Sequence, residues 1–228
     1  MVSKKSYRTK AHAGSFKKEG MERPLSPRHV DWSKYFRNTK KPDYLDLGCG
    51  YGKFLLRTAD KCKKNILGIE IRNKVYEYTK RRIEKSGMEN VGVMNTNGLL
   101  FLPNIFEKKS LEKIFILFPD PHFKKTKQKG RIVGKRTMGV FEYLLKDGGR
   151  LYISTDVKSL YDDMCGVIEE SGFFEEKEKA KTAVTKELLE NQEKKALFEA
   201  TYLGTDKSTR AGVKNGMVYA SVYVVKKK

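Results

Sequence analysis

The sequence has few of the residues that most often build metal centres and disulfide frameworks. It contains three cysteines and three histidines in 228 residues, and neither set is clustered. Because Cys49, Cys62 and Cys165 form no C-x-x-C pair, we expect neither a zinc site nor a disulfide scaffold. Scattered cysteines of this kind are typical of a reducing compartment, either the cytosol or the nucleus.

Long apolar runs are also missing. No stretch of the sequence approaches the ~20 apolar residues that a membrane-spanning helix needs. The first ten residues, MVSKKSYRTK, are charged and lack the apolar centre of a secretory signal. We therefore expect neither a membrane-spanning segment nor a secretory signal.

Acidic residues are greatly outnumbered. The chain has 48 lysines and arginines against 28 aspartates and glutamates, which gives a formal net charge of +20. Such an excess destabilises a compact state by self-repulsion, so it usually indicates a polyanionic partner. Nucleic acid is the first candidate and an anionic membrane the second. The alternative is a basic surface that serves solubility alone.

The pattern of the chain changes near residue 40. Residues 1–40 are polar and basic, with turn signals at Pro24 and Pro27, and we predict an N-terminal arm there. Asp31 is a candidate N-cap for a short helix within this arm. With 39% hydrophobic residues, the chain is able to bury a core, and residues 41–228 are predicted to form one folded domain.

Strand and helix patterns alternate along this domain, which predicts an α/β fold with a mainly parallel seven-stranded sheet and helices on both faces. The predicted strands are Tyr44–Leu47, Asn65–Glu70, Val91–Met94, Leu111–Phe118, Gly149–Ser154, Ala200–Gly204 and Val218–Val225. The predicted helices are Lys53–Cys62, Asn73–Ser86, Thr137–Leu145, Val157–Ser171 and Val184–Leu197. Ligands of such sheets bind beyond the carboxyl ends of the strands, so the residues that follow strands are the candidates for function.

A glycine-rich turn, DLGCGYG from Asp46 to Gly52, follows the first predicted strand. Its glycines permit positive φ angles and a close approach of backbone to ligand, although the spacing differs from the G-x-G-x-x-G dinucleotide fingerprint. Glu70 ends the second strand, where an acid can accept both hydroxyls of a ribose. Together these features suit a cofactor that carries an adenosine and a positive group, the pattern of class I S-adenosylmethionine-dependent methyltransferases. A nicotinamide or nucleotide site, or a turn with no ligand, are the alternatives.

Two further segments follow predicted strands. Asn97-Gly98 would be placed to contact an adenine, or would be a simple turn. The apolar fourth strand ends at Pro119-Asp120-Pro121, and the two prolines restrict the backbone on both sides of the acid. Seven basic residues without an acid among them come next, which indicates a phosphate-binding surface rather than a merely solvated run: Lys124, Lys125, Lys127, Lys129, Arg131, Lys135 and Arg136.

The segment LFPDPHFKKTKQKGRIV, residues 117–133, resembles the tRNA (guanine-N7-)-methyltransferases, in particular their eukaryotic-type catalytic subunit. The resemblance extends over most of residues 7–216, because further segments fall in the order of the family: YRTKAHAG, DWSKYF, DLGCGYGKFL, LGIEIR, FLPN, STD and YLGT. The resemblance implies a Rossmann-like class I fold and transfer of a methyl group from S-adenosylmethionine to N7 of a guanine in the tRNA variable loop.

The resemblance also implies roles for individual residues. Asp120 matches the catalytic acid. The implied cofactor site consists of Asp46, Gly48, Gly50, Glu70, Ile71, Arg72, Asn97, Gly98 and Leu117. The implied substrate contacts are Lys124, Lys125, Asp156 and Thr205. The sequence departs from the family at residues 205–210, TDKSTR, where the family's glutamate is missing.

Eukaryotic members of the family pair with a non-catalytic WD-repeat β-propeller subunit, so tRNA and such a propeller are the expected partners. The expected location is the nucleus, with the cytoplasm as the alternative. Two other functions remain open at this point. One is a methyltransferase of the same fold that acts on a protein or on another RNA, and the other is a non-catalytic RNA-binding module.

Overall fold

The computed structural model describes residues 20–123, 125–183, 201, 205 and 216–226. The predicted helix 184–197 and, apart from Thr201, the predicted strand 200–204 lie outside the described residues. The described residues fall into two compact units that divide between Glu107 and Lys108.

The first unit alternates strands and helices. Its elements are β1 (Tyr44–Leu47), α1 (Lys53–Lys61), β2 (Ile66–Glu70), α2 (Asn73–Ser86), β3 (Val91–Asn95) and α3 (Gly98–Ile105), with 3₁₀ turns at Pro27–His29 and Trp32–Lys34. β2 lies between β1 and β3 and is parallel to both. Every residue of these three strands is buried, which explains why they appear in the sequence as apolar runs rather than as an alternating pattern.

The second unit contains both parallel and antiparallel strands. Its elements are β4 (Leu111–Leu117), α4 (Lys125–Gln128), α5 (Lys135–Leu144), β5 (Leu145–Thr155), α6 (Lys158–Glu170), β6 (Phe174–Ala183) and β7 (Met217–Val225). The strand order is β4-β5-β7-β6, in which β5 is parallel to β4 and antiparallel to β7, and β6 is antiparallel to β7. The predicted fold class, α/β with a mainly parallel seven-stranded sheet, is confirmed in the described residues.

Three elements were absent from the sequence prediction: α3, the four-residue α4 and β6. α3 contains Pro103 in its interior, and a proline there removes a helical hydrogen bond and disguises the helix. β6 has the sequence FEEKEKAKTA and lies at the edge of the sheet, paired with β7 alone in the order of the described strands. Because exposed edge strands commonly carry charges that prevent further pairing, β6 lacks the apolar run by which the central strands are recognised.

The described part of the predicted N-terminal arm is bonded to the remainder of the first unit. The backbone N–H of Glu22 donates to the carbonyl of Asn95 at 2.8 Å, and Thr96 Oγ1 donates to the carbonyl of Glu22 at 2.6 Å. Trp32 is buried, and its ring centroid lies 6.1 Å from that of Phe106. The proposed boundary between residues 40 and 41 stays a prediction.

Gly92 and Gly139 offer a matched test of how the arm packs on β3. A Cβ at Gly92 would lie 2.8 Å from Tyr35 Cβ and 3.0 Å from the Tyr35 carbonyl oxygen, whereas a Cβ at Gly139 in α5 meets nothing within 4 Å. We expect Gly92→Ala to lose about 1–3 kcal/mol of unfolding free energy through overpacking. Gly139→Ala should gain up to about 1 kcal/mol from helix propensity. Urea unfolding measures both, and equal stability of the two variants would contradict this packing.

Candidate functional site

The glycine turn after β1 adopts the backbone conformation that its sequence predicts. Gly48, Gly50 and Gly52 have φ angles of 87°, 55° and 73°, a region that side chains with a Cβ rarely occupy. The N–H of Gly48 donates to the carbonyl of Ile69 at 2.9 Å, which ties the turn to β2. A Cβ added at Gly50 would meet nothing within 4 Å, so the backbone faces open space at that residue.

Two side chains of α2 hold the carbonyls of this turn. Thr79 Oγ1 donates to the carbonyl of Gly50 at 2.7 Å, and an Arg82 Nη atom donates to the carbonyl of Tyr51 at 2.6 Å. The sequence reasoning did not identify either residue. The available signal was their spacing of three positions, which places both on one face of a helix.

Glu70 connects the end of β2 with the glycine turn. Its carboxylate is 2% exposed and accepts hydrogen bonds from Gly50 N at 3.1 Å and from Arg72 N at 2.8 Å. The guanidinium of Arg72 adds two bonds, from Nε and from an Nη atom, both at 3.0 Å. These four bonds use all of the acceptor positions that an ionised carboxylate offers. Ile71 lies between the two residues and is partly exposed.

Asp46 in β1 is a second buried acid of this unit, with 2% of its surface exposed. Burial, and to a smaller extent the negative charge of Glu70, raises the pKa of Asp46 to about 8. The carboxyl group is therefore largely protonated at neutral pH. A cation that entered beside Asp46 and Glu70 would favour its ionised form, because an opposite charge stabilises the carboxylate.

Asn97 and Gly98 lie at the N-terminus of α3 rather than in a simple turn. Asn97 caps the helix, since its side-chain oxygen accepts from Leu99 N at 3.1 Å. A Cβ at Gly98 would lie 2.4 Å from Leu47 Cδ1, so the absence of a side chain allows α3 to approach β1. In the first unit, Asp46, Glu70 and Asn97 therefore lie at or just beyond strand ends, as the sequence predicts.

In the second unit, Leu117 is the last residue of β4, and Asp120 lies in the segment that follows the strand. Leu117 is buried and is the partner of Ser154 in the parallel pairing of β4 with β5. The N–H of Phe118 donates to the carbonyl of Ser154 at 2.7 Å, so the chain beyond β4 stays bonded to β5. Asp120, which is partly exposed, comes two residues later.

Asp156 directly follows β5 and is exposed. The chain before it is held by two bonds: Ser154 Oγ donates to the carbonyl of Thr201 at 2.9 Å, and Val157 N donates to Thr155 Oγ1 at 3.1 Å. Because β4 and β5 are parallel neighbours, Asp120 and Asp156 both follow the carboxyl ends of adjacent strands.

The remaining predicted substrate contacts are only partly described. Lys125 begins α4, and Thr205 is partly buried in a bend. Lys124 and residues 206–210 lie outside the described residues.

The predicted phosphate-binding run is not uniform. Lys129 and Arg136 are exposed, and Lys135 is an exposed partner of Glu170 at 3.1 Å. The side chain of Arg131 is only 13% exposed, and its Nε donates to the carbonyl of Pro121 at 2.9 Å. Arg131 therefore differs from the sequence interpretation, because its guanidinium bonds to the protein instead of standing at the surface.

Neither a metal cluster nor a membrane span is found in the described ranges. No group of three or more histidine, cysteine, aspartate or glutamate residues among them could hold a metal ion. No helix in the same ranges is both long enough and apolar enough to cross a bilayer.

The raised pKa of Asp46 predicts a measurable effect of pH on stability. An unfolded aspartate loses its proton near pH 4, whereas folded Asp46 keeps it until about pH 8. The native state therefore binds more protons than the unfolded state between these values, and stability falls as pH rises, by up to ~1.4 kcal/mol per pH unit. Asp46→Asn should remove this dependence and be more stable than the parent at pH 8.

Urea unfolding at pH 5, 6.5 and 8 measures the difference between the parent and Asp46→Asn. Asp60→Asn, which changes an exposed acid on α1, is the matched control and should follow the parent. Parallel curves for the parent and Asp46→Asn would show that Asp46 is ionised in the folded chain.

A family model described as "Putative methyltransferase" matches residues 40–207. Among solved structures, one described as an antibiotic-related methyltransferase aligns with a TM-score of 0.57, covering 80% of this chain and 87% of its own. The two sequences are 16% identical, so this likeness concerns the fold alone.

Sequence relatives are more specific. A tRNA (guanine-N(7)-)-methyltransferase of Caenorhabditis elegans is 38% identical over 208 residues, which are 85% of this chain and 81% of the relative. One of Kluyveromyces lactis is 40% identical over 193 residues, covering 77% of this chain and 69% of the relative. The resemblance found in the sequence is therefore confirmed, and the chain belongs to the tRNA (guanine-N(7)-)-methyltransferase family.

Proposed function

We propose that this chain is the catalytic subunit of an enzyme that methylates N7 of a guanine in the variable loop of tRNA. The observation that carries the proposal is the pair of acids, Asp120 and Asp156, that follow neighbouring parallel strands in a member of this family. The cofactor is S-adenosylmethionine, which supplies a methyl group bonded to a positively charged sulfur.

The residues of the first unit fit S-adenosylmethionine. The backbone at Gly50 faces open space, and two buried acids, Asp46 and Glu70, suit a ligand that carries positive charge and ribose hydroxyls. Because Arg72 and Gly50 use all of the acceptor positions of Glu70, a ribose that bonds to Glu70 must replace some of these bonds. The guanidinium of Arg72 is the part that can leave, since its side chain is flexible.

The chemistry at guanine N7 makes modest demands on the protein. N7 is a neutral lone pair without a proton, so no general base is needed at that atom. Positive charge develops on the purine as the methyl group arrives, and the protein contributes alignment and a nearby negative charge. Asp120 can supply both by accepting hydrogen bonds from N1–H and the exocyclic N2–H of the guanine. Asp156 can share the same edge of the base.

The charge of the chain suits a tRNA substrate. A formal net charge of +20, with Lys129 and Arg136 exposed shortly after Asp120, favours contact with phosphates. Such contacts provide affinity and position without reading sequence. The choice of one guanine must then come from the shape of the tRNA and from contacts to the base itself.

Two other functions would leave different traces. A methyltransferase for another RNA or for a protein would label that substrate and leave tRNA unlabelled. A non-catalytic RNA-binding module would show no heat of binding with S-adenosylmethionine in calorimetry. Incubating the chain, alone and with a candidate propeller, with tRNA transcripts and labelled cofactor, followed by mapping of N7-methylguanine, separates tRNA methylation from the other two functions.

We also propose nuclear localisation, which imaging of a tagged chain in the native cell tests. The support is the FPDPHFK segment, whose resemblance to the eukaryotic-type catalytic subunit led us to expect the nucleus.

A cofactor-binding role for Glu70 predicts a loss of affinity in Glu70→Ala. Removing hydrogen bonds to a charged group costs roughly 1.5–3 kcal/mol, which corresponds to about a 10- to 150-fold weaker Kd for S-adenosylmethionine. Isothermal calorimetry measures this change. Glu84→Ala, an exposed acid on α2, is the control and should bind like the parent. Equal affinity in a folded Glu70→Ala protein would remove Glu70 from the cofactor site.

A WD-repeat β-propeller is the partner that we propose, on the grounds of the eukaryotic-type sequence. A second docking surface raises the effective concentration of tRNA at the first, so the chain should be a poor enzyme alone and improve with its propeller. The measurement is the rate of N7-methylguanine formation with and without a candidate propeller. Full activity of the chain alone, with no gain from any candidate, would contradict the pairing.

Asp120→Asn tests the catalytic proposal directly. The amide preserves the shape of the side chain but loses the charge and turns one acceptor into a donor that opposes guanine N1–H and N2–H. We expect a loss of ~3–4 kcal/mol of transition-state stabilisation, or about 100- to 1,000-fold in rate. Cofactor and tRNA affinity should change little, because phosphate contacts dominate the latter.

Single-turnover assays at saturating cofactor and tRNA isolate the chemical step of this comparison. Asp147→Asn makes the same change at an exposed residue that pairs with Lys109, and it should retain the parental rate. An Asp120→Asn rate within about threefold of the parent would leave Asp120 as a turn residue only, since such a change is far below the range expected for a catalytic carboxylate.

A further inference from the structure

The backbone around Asp120 has an unusual conformation. Phe118 and His122, two residues before and two residues after Asp120, have φ angles of +50° and +45°. Residues other than glycine rarely adopt positive φ, and such conformations persist only where the surroundings impose them. Contacts around residues 118–122 must therefore hold this backbone conformation.

Two contacts restrain this segment from opposite ends. At its start, Phe118 N donates to the carbonyl of Ser154 in β5 at 2.7 Å. At its end, Arg131 Nε donates to the carbonyl of Pro121 at 2.9 Å. The same guanidinium pairs, through an Nη atom, with the carboxylate of Asp163 in α6. Arg131 thus links the residue next to Asp120 with a regular helix.

The geometry of Arg131 suits a bridge and not a phosphate contact. Its side chain is 13% exposed, whereas that of Asp163 is 50% exposed. A guanidinium is a rigid planar fork, so bonding a carbonyl by Nε and a carboxylate by an Nη atom sets the orientation of both partners at once. A lysine could not make both contacts in that plane, because its ammonium is a single point charge on a flexible stem.

We propose that Arg131 and Asp163 form a clamp that holds residues 118–122 in the conformation in which Asp120 meets the guanine. Arg131 is then a positioning residue, and its charge serves the protein rather than the tRNA backbone. This inference rests on the proposed function, because it concerns the segment that carries the proposed catalytic acid. It assigns a role to two residues, one of which lies on a helix well separated in sequence from Asp120.

The decisive variant is Asp163→Asn. If Arg131 only bonds phosphates, removing a neighbouring acid leaves tRNA binding equal or tighter and does not slow the reaction. If Arg131 and Asp163 are a clamp, the same change loosens the segment and lowers the single-turnover rate although the chain has become more basic. Asp162→Asn is the matched control, since it changes the adjacent acid of α6, which pairs with Lys158.

Single-turnover rates at saturating cofactor and tRNA, together with tRNA Kd values, are measured for Arg131→Gln, Arg131→Lys, Asp163→Asn and the double variant. Misplacement of a reacting group by about 1 Å can cost about 100-fold in rate. On that scale we expect Arg131→Gln to lose about 10- to 100-fold, with Arg131→Lys rescuing little. Asp163→Asn should lose less, and the double variant should be no slower than Arg131→Gln alone.

Hydrogen exchange provides a readout that does not depend on activity. In Asp163→Asn, the amides of residues 118, 120, 122 and 123 should exchange faster than in the parent, while those of β4 and β5 remain unchanged. Faster exchange throughout the second unit would indicate a general loss of stability and would overturn the positioning role.

Two results of the rate and tRNA-binding measurements would also contradict the clamp. One is a parental rate in both Asp163→Asn and Arg131→Gln. The other is weaker tRNA binding with a flatter salt dependence in Arg131→Gln and no change in Asp163→Asn, which would return Arg131 to the phosphate-binding surface. If the parent chain makes no N7-methylguanine either alone or with a candidate propeller, the proposed function fails, and hydrogen exchange still decides whether the clamp exists.

Discussion

The buried carboxylate of Glu70 connects the glycine turn to the end of β2, and the rest of the first unit's candidate site is arranged around it. A carboxyl group with 2% of its surface exposed requires hydrogen-bond partners, which are Gly50 N and three donors of Arg72. This carboxylate and the α2 side chains Thr79 and Arg82 all bond to the backbone of the turn. Burial is the main cause of the raised pKa of Asp46, and the negative charge of Glu70 raises it further.

The two buried acids, Asp46 and Glu70, make the first unit suited to binding a cation. Two buried acids close together disfavour their shared ionisation, and the consequence is a largely protonated Asp46 at neutral pH. Arg72 supplies a positive charge beside Glu70. A cofactor with a cationic group and ribose hydroxyls can take over both tasks, so its binding and the rearrangement of Arg72 are expected to be coupled.

Sequence reasoning succeeded where the determinants are local. The apolar runs before residues 48, 71, 96 and 118 marked β1 to β4, and α2 was predicted with the bounds that the structure shows. It failed where the determinants are distant in sequence. The bonds from Arg72 to Glu70 could be imagined from their spacing, but that from Arg131 to Asp163 joins residues 32 positions apart. Nothing in the sequence of the basic run distinguishes Arg131, whose side chain bonds to the protein, from its neighbours.

The basic residues after Asp120 differ in the contacts that their side chains can make. Arg131, with its planar fork, bonds two protein groups in fixed directions. The lysines are flexible point charges that suit a phosphate backbone, where position is less strictly defined. Another methyltransferase shares this fold at 16% identity. A fold does not by itself determine the substrate. In this chain a carboxylate lies between two prolines after β4, and Arg131 of the adjacent basic run donates to the carbonyl of the second proline.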